Sequence, residues 1–260
     1  MSPSHTAGFT IIETMLFLAI SGLLVISLLA GTGASINTQR YRDSVTSLMA
    51  YIQNQYVEVA NVTNSRDADW VCDGSAQTKE GASGLSRGQS DCFIVGRYIS
   101  IQGTDIATHT INGTKIDKKT GSDVSMLADN YRFGTSPVDT QTSTLEWGAK
   151  IAWPVQGNGS KPAGTDRSIG ILLIRSPDSG SIYTFTSDVV PESGALSAEE
   201  IKDIIKSDSQ GSQTICVDSG AGLPAGSKLA VFLKENATNS SAVETRSFET
   251  IQALGGDSQC

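Results

Sequence analysis

A single carboxylate near the start of the chain is the first residue whose position suggests chemistry. Glu13 is the only charged side chain among the first 39 residues, and it lies inside an apolar stretch. A charge at the centre of a bilayer costs about 3 kcal/mol, and less near an interface. A buried carboxylate is tolerated when it is paired. Glu13 therefore predicts either a cationic partner or a position at a membrane–water interface.

Four cysteines form the second set of reactive side chains: Cys72, Cys92, Cys216 and Cys260. No two of them form a C-x-x-C pair, so their spacing does not resemble a zinc site. An even number of cysteines beyond a membrane-type segment predicts two disulfides in an oxidising compartment. Three pairings exist, and we favour Cys72–Cys92 with Cys216–Cys260 because each closes a local loop.

Little in the sequence suggests catalysis or a cofactor. The two histidines are His5 and His109, and a structural role is expected for His109 among the Thr and Ile residues of a predicted strand. The glycine-rich residues 220–226 lack the Lys-Ser/Thr of a phosphate-binding loop and predict a hairpin loop. The turn at residues 177–180 does not match a regular calcium loop. We expect a protein that is not an enzyme and that binds neither metal nor cofactor.

The composition also limits which classes of partner are expected. The net charge is −8 and the isoelectric point is about 4.8, with nearly all the acidity beyond the apolar segment. Nucleic acid is not expected as a partner, because phosphate binding needs a basic patch. Hydrophobic residues make up 38% and aromatics 6%, and the rest is rich in Gly, Ser, Thr, Asp and Asn. That composition favours short strands joined by turns.

The apolar segment has two ordinary explanations, and neither accounts for Glu13. Residues 15–30 are slightly short for a membrane-spanning helix, and adding residues 9–12 gives the required length of about 20 residues. A secretory signal peptide should begin with Lys or Arg, but neither occurs before position 40. A plain membrane anchor fits the length and leaves the carboxylate unexplained.

The sequence Gly8-Phe9-Thr10-Ile11-Ile12-Glu13 resembles the cleavage motif of type IV prepilins and pseudopilins. The resemblance implies that a prepilin peptidase cuts between Gly8 and Phe9 and that the new N-terminal Phe9 is N-methylated. It also implies that Glu13, the fifth residue of the mature chain, pairs with the Phe9 amine of a neighbouring subunit during assembly.

Two features depart from the family pattern. The leader has no Lys or Arg, whereas Arg40 and Arg42 follow the apolar segment, so the positive-inside rule alone favours the opposite orientation. We retain the family orientation, with the leader inside, because of the cleavage motif and the long folded region that follows. In addition, Ala30 occupies a position where many pilins have Pro.

The periodicity beyond the apolar segment predicts that the helix continues. Apolar residues recur at three- and four-residue spacing at Val45, Leu48, Ile52, Tyr56 and Val59. One helix is therefore expected from about Thr10 to about Asn61, followed by an antiparallel β-rich domain, which is an α+β, pilin-like fold. The predicted regions are a leader (1–8), a hydrophobic half-helix (9–35), an amphipathic half-helix (36–63) and a globular head (64–260).

Within the head, alternation and turn residues predict the strands. Residues 64–89 are expected to form a loop, and a capping box at residues 197–200 predicts a short surface helix to about residue 206. Residues 91–98 also resemble the first strand of minor pseudopilins and FimT-like minor pilins, which carry two small sheets behind the helix. The predicted strands are 92–102, 108–116, 145–155, 168–175, 181–186, 213–218, 228–234 and 242–251.

The resemblance implies a structural subunit of an extracellular type IV pilus-like filament that serves adhesion, motility or DNA uptake. The precursor would lie in the cytoplasmic membrane. Its partners would be copies of itself or other pilins, the prepilin peptidase and the inner-membrane assembly machinery. Two alternatives stay open: a minor pilin or secretion-system pseudopilin, and a membrane-anchored adhesive module that does not polymerise.

The motif makes a prediction about the mature N-terminus. Mass spectrometry of the processed protein should find an N-terminal peptide that begins at a methylated Phe9. An intact Met1, or cleavage at another bond, would contradict the prepilin interpretation.

Overall fold

A single helix, α1, occupies the N-terminal part of the computed structural model, which describes residues 10–62, 70–81, 90–154, 164–207, 209–220, 228–247, 249–250 and 260. It runs over 50 residues from Ile11 to Ala60, with Thr10 as its N-cap and Asn61 as its C-cap. At ~1.5 Å per residue its length is about 75 Å. The predicted helix from about residue 10 to about residue 61 is confirmed.

The head that follows is built from short strands and short helices. Between residues 90 and 207, its described α-helices are α2 (Asp123–Asn130) and α3 (Ala198–Lys206). Its described strands are β1 (Trp70–Cys72), β2 (Thr78–Glu80), β3 (Phe93–Gln102), β4 (Asp105–Lys115), β5 (Tyr131–Thr135), β6 (Gln141–Thr144), β7 (Lys150–Ala152), β8 (Ser168–Arg175), β9 (Ile182–Ser187), β10 (Gln213–Asp218), β11 (Leu229–Leu233) and β12 (Val243–Ser247).

The described strands pair into three antiparallel sheets. The largest has the order β5-β4-β3-β8-β9, and β6 also pairs with β4. The second has the order β12-β11-β10-β7, and β1 pairs with β2 in a small ribbon. The chain therefore has the predicted α+β arrangement of a long helix followed by antiparallel sheets.

The second half of α1 packs between the two larger sheets. Ile99 and Ile171 from the six-stranded sheet, and Ile215 and Val231 from the four-stranded sheet, share one core with the helix. The predicted apolar residues Val45, Leu48, Ile52, Tyr56 and Val59 are each at most 2% exposed, and Tyr41, one turn before Val45, extends the buried stripe. A stripe at this spacing buries one face of a helix, and here two sheets cover it.

Polar contacts also join α1 to the head. The Tyr41 hydroxyl donates to the Leu229 carbonyl and accepts from the Leu229 N–H, both at 2.7 Å. The Tyr56 hydroxyl lies 2.8 Å from Thr184 Oγ1 inside the core. Burial raises the pKa of Tyr56, so the hydroxyl stays protonated and available as a hydrogen-bond donor. These bonds fix the helix along its axis, which apolar packing alone does less well.

A second core lies on the opposite face of the six-stranded sheet. There α2 and α3 cover side chains such as Tyr98, Leu172 and Phe185. The predicted capping box of α3 is present, and charged residues of the helix such as Glu199 and Lys206 are exposed, as expected of a surface helix. The face of the helix that it buries was not predicted. Ile201 and Ile205 are fully buried, because residues four apart lie on one face of a helix and this pair faces the sheet.

Most predicted strands are confirmed within a few residues, and three regions differ. Residues 64–89 contain the ribbon of β1 and β2. Instead of one strand over residues 145–155, a 3-10 turn at Glu146–Gly148 precedes the short β7. The last predicted strand ends at Ser247 rather than near residue 251. Helix α2 and strands β5 and β6 were not predicted, although Ser122 caps α2 as serine commonly does.

Both disulfides favoured by loop length are present. Cys72 in β1 is bonded to Cys92 immediately before β3, 20 residues away. Cys216 in β10 is bonded to Cys260, 44 residues away. In the chain-entropy description, closing loops of these lengths stabilises the folded state by about 3–4 kcal/mol each. The first bond links the small ribbon to the six-stranded sheet, and the second links β10 to Cys260.

The packing of α1 predicts unequal effects of the same substitution in its two halves. Leu48→Ala should lower the free energy of unfolding of the head by about 2–5 kcal/mol, because it opens a cavity beneath both sheets. Leu24→Ala should leave it unchanged, because Leu24 is 57% exposed whereas Leu48 is 1% exposed. Denaturant unfolding of the full chain in detergent measures both. Equal losses would show that the first half of α1 also packs on the head.

Candidate functional site

The first half of α1 projects from the head as an exposed apolar rod. Its large apolar side chains from Ile11 to Leu29 are 54–79% exposed. Apolar residues lie on every side of the helix, and a helix of this kind is stable only when protein or lipid surrounds it. The most apolar window has a mean hydropathy of 2.3. By length and composition, α1 can cross a membrane.

The change from exposed to buried falls within five residues. Ile36 is 47% exposed and Tyr41 is 1% exposed. Arg40, between them, is the first charged residue after Glu13. The end of the uncharged stretch therefore coincides with the point where the head begins to cover the helix.

Glu13 lies in the first turn of α1, where it forms a capping box with Thr10. The Thr10 hydroxyl accepts from the Glu13 N–H at 3.3 Å. The Glu13 carboxylate accepts from the Thr10 N–H and from the Thr10 hydroxyl, both at 3.4 Å. The positive end of the helix dipole also favours a carboxylate there. This role of Thr10 was not predicted, although Thr-x-x-Glu is a recognisable capping signal.

The carboxylate keeps the capacity for a stronger partner. Its bonds to Thr10 are long, whereas an ammonium–carboxylate bond is about 2.7–2.9 Å and roughly twice as strong as a neutral one. Glu13 is exposed, so an approaching cation can reach it. Gly8 and Phe9 lie outside the described residues, so the cleavage site and the Phe9 amine stay predictions.

A second feature, absent from the sequence analysis, lies where the helix enters the head. The Trp147 indole is 57% exposed, and the Arg40 guanidinium lies 4.8 Å from the centre of its ring. Trp147 has a left-handed backbone (φ 59°), and Gly148 follows with φ 70°. A bulky residue in this region is strained by about 1–3 kcal/mol. In the sequence, the Gly that follows Trp147 is the feature that indicates this turn, because glycine readily adopts a positive φ.

The remaining candidate residues form hydrogen bonds with neighbouring parts of the head. His109 Nδ1 lies 3.3 Å from the Thr140 hydroxyl, and its Nε2 is enclosed without a hydrogen-bond partner among the residues that the structure describes. In the turn at residues 177–180, the Asp178 carboxylate accepts from Lys115 Nζ at 2.8 Å and from the Tyr131 hydroxyl at 3.0 Å. These bonds hold the pKa of Asp178 below its usual value.

Metal ligands do not cluster in the part of the chain that the structure describes: no three His, Cys, Asp or Glu residues there could hold an ion together. Residues 221–227, most of the glycine-rich segment, lie outside the described residues. The strands on either side of it, β10 and β11, are antiparallel neighbours, as a hairpin connection requires.

Comparison with models of protein families, with curated proteins and with solved structures finds no significant match to this chain. Its function is therefore inferred from its own residues and their geometry.

The partly buried imidazole of His109 predicts a pH dependence of stability. Burial lowers the pKa of His109 in the folded state, so the unfolded chain binds the proton more readily. Stability should therefore fall as the pH drops below the ordinary histidine pKa of about 6.5, and level off once folded His109 is also protonated.

His109→Gln should remove that part of the pH dependence. The free energy of unfolding of both proteins is measured with urea between about pH 8 and about pH 5. Because the two proteins share their carboxyl groups, the difference between their curves gives the contribution of His109. Parallel stability curves for the two proteins would contradict the assignment.

Proposed function

We propose that this chain is the precursor of a structural subunit of an extracellular type IV pilus-like filament. The observation that carries the proposal is the division of one uninterrupted helix. Its first half is apolar on all sides and exposed, with a single carboxylate in the first turn. Its second half is buried in a β-rich head. Such a chain can move its apolar half from lipid into a bundle of identical helices while the head stays folded.

The energetics of that transfer explain the need for Glu13. Lipid already covers the apolar half before assembly, so the hydrophobic effect adds little preference for the bundle over the membrane. Close helix packing and polar pairing must supply the difference. A carboxylate that gains a cationic partner in the bundle provides such a preference, and it fixes the axial register because the bond forms at only one position.

Processing would supply the cation. Cleavage after Gly8 by a prepilin peptidase leaves an amine on Phe9, immediately before the N-cap Thr10. In its own chain, Glu13 is already engaged by Thr10. The Phe9 amine of a neighbouring subunit would replace these long bonds with a shorter ionic one, as the resemblance implies.

The head belongs outside the cytoplasm in this proposal. Its two disulfides suit an oxidising compartment. The partners would be copies of this chain or other pilins, with the inner-membrane machinery that extracts subunits from the membrane. Adhesion, motility and DNA uptake are the roles that such a filament would serve.

A minor pilin or secretion-system pseudopilin is the second candidate, and the architecture of the head favours it over a small major subunit. Two sheets of six and four strands enclose the helix. The segment that resembles the first strand of minor pseudopilins, residues 91–98, contributes to β3 in the centre of the larger sheet. A membrane-anchored adhesive module that never polymerises would need no role for Glu13.

Substitution of Glu13 tests the assembly role. Glu13→Val and Glu13→Gln should each lower incorporation into sheared surface filaments by about 10- to 100-fold, because a hydrogen bond to a charged group contributes about 1.5–3 kcal/mol. Quantitative mass spectrometry of the filament and membrane fractions measures the change. Asp43→Asn is the matched control, because it removes an exposed carboxylate from the same helix outside the apolar segment.

The outcomes separate the candidates. Normal incorporation of both Glu13 variants would overturn the assembly role. Absence of the unaltered chain from every filament, with full retention in the membrane, would favour the adhesive module. Incorporation at a low ratio to another subunit would identify a minor pilin.

A further inference from the structure

Trp147 is held at the surface by a turn that is anchored on both sides. Leu145 and Ala149, which flank the turn at Glu146–Gly148, are at most 5% exposed and belong to the core around α1. The Leu145 N–H donates to the Thr104 carbonyl at 2.8 Å, and the Ala149 N–H to the Glu146 carbonyl at 3.2 Å. These anchors keep Trp147 in a left-handed conformation with more than half of its surface exposed. A strained, exposed indole on a fixed turn is suited to contact something outside the chain.

The position of Trp147 along α1 indicates what it contacts. Its ring stacks on Arg40, and Glu13 and Arg40 are the charges that bound the uncharged residues 14–39. At ~1.5 Å per residue, the 27 steps from Glu13 to Arg40 span about 40 Å. A bilayer with its headgroup regions is about 40–45 Å thick. With residues 14–39 across a bilayer, Arg40 and Trp147 therefore lie at the headgroup level on the side of the head.

The chemistry of the patch fits that layer. An indole ring prefers the membrane–water interface, where its apolar body and polar N–H are both accommodated. Ile36 lies one turn nearer the bilayer on the same face of α1 as Arg40, and it is 47% exposed. The Arg40 guanidinium can donate to phosphate oxygens.

The charged residues next to the patch in sequence have both signs: Arg40 and Arg42 lie near the exposed acid Asp43, and the exposed acid Glu146 precedes Trp147. The contact therefore does not depend on general attraction to an anionic surface, and it should change little with the fraction of anionic lipid.

We propose that Trp147, stacked on Arg40, is the interfacial anchor through which the head rests on the phospholipid headgroup layer before assembly. The anchor fixes the depth of α1 in the bilayer and keeps the head from tilting about its junction with the membrane. This proposal rests on the membrane insertion of α1 and does not require polymerisation.

Fluorescence of the full chain in vesicles tests it. In Trp70→Phe/Trp153→Phe, Trp147 is the remaining indole. Reconstituted into phosphatidylethanolamine/phosphatidylglycerol vesicles, its emission should shift to shorter wavelength than in the denatured chain. Lipids that carry a nitroxide on the headgroup should quench most of it. Acrylamide in the aqueous phase should quench it less than in the denatured chain, and altering the phosphatidylglycerol fraction should leave the quenching unchanged.

Trp70 provides the matched control. Cys72, two residues from Trp70, lines the same cavity as Val62. Val62 follows the C-terminal end of α1, about 30 Å from Arg40 at the helical rise per residue. Trp70 therefore lies far from the headgroup layer. In Trp147→Phe/Trp153→Phe, the headgroup quencher should therefore leave the emission of Trp70 unchanged. If the double variants unfold, Trp147→Phe alone serves, because it should remove the headgroup-quenched part of the emission of the three-tryptophan protein.

Each outcome decides the proposal. Vesicle flotation without headgroup quenching of Trp147 overturns the anchor and leaves membrane insertion standing. If Trp147 becomes better protected from acrylamide as more protein is placed in each vesicle, and the headgroup quencher has no effect, the patch contacts a second copy of the chain. That result also overturns the anchor. Failure to float with vesicles overturns both the anchor and the membrane insertion that the proposed function requires.

Discussion

The constraint on which the structure depends is the burial of the second half of α1 between two sheets. Side chains such as Val45 and Ile52 complete a core that neither sheet closes alone. Hydrogen bonds from Tyr41 and Tyr56 fix the helix along its axis. Because a helix is stiff, this anchoring also sets the direction of the exposed half. The head therefore presents the apolar rod at a defined angle, as regular packing of many copies would require.

The hydrogen bonds at the N-terminal end of α1 are much weaker. Glu13 and Thr10 satisfy one another through bonds of 3.3–3.4 Å, close to the upper limit of hydrogen bonding. In a single chain these bonds give the carboxylate hydrogen-bond partners. Because they are long and weak, a cationic group can displace them. The same residues can thus cap a helix in the membrane and join two subunits in the proposed filament. A strongly buried ion pair in the monomer would oppose such an exchange, since breaking it costs several kcal/mol.

Local sequence signals predicted much of the fold. The two periodicities of α1, the hairpin from β8 to β9 and the capping box of α3 all depend on neighbours within a few residues. The errors arose where distant contacts decide the structure. The charged pattern of α3 predicted a surface helix, but the burial of Ile201 and Ile205 depends on the six-stranded sheet beside them. The break before β7 depends on Leu145 and Ala149 both reaching the core around α1, which no local pattern reveals.

The sequence by itself determined the long helix, the lone carboxylate in its apolar half and the disulfide pairs favoured by loop length, because periodicity, charge and chain separation are local properties. The tertiary structure decided where the head begins to cover the helix, which face each short helix buries, and which side chains meet at that boundary. Arg40 and Trp147 are more than a hundred residues apart in the chain, and only the packing of the turn against α1 brings them together.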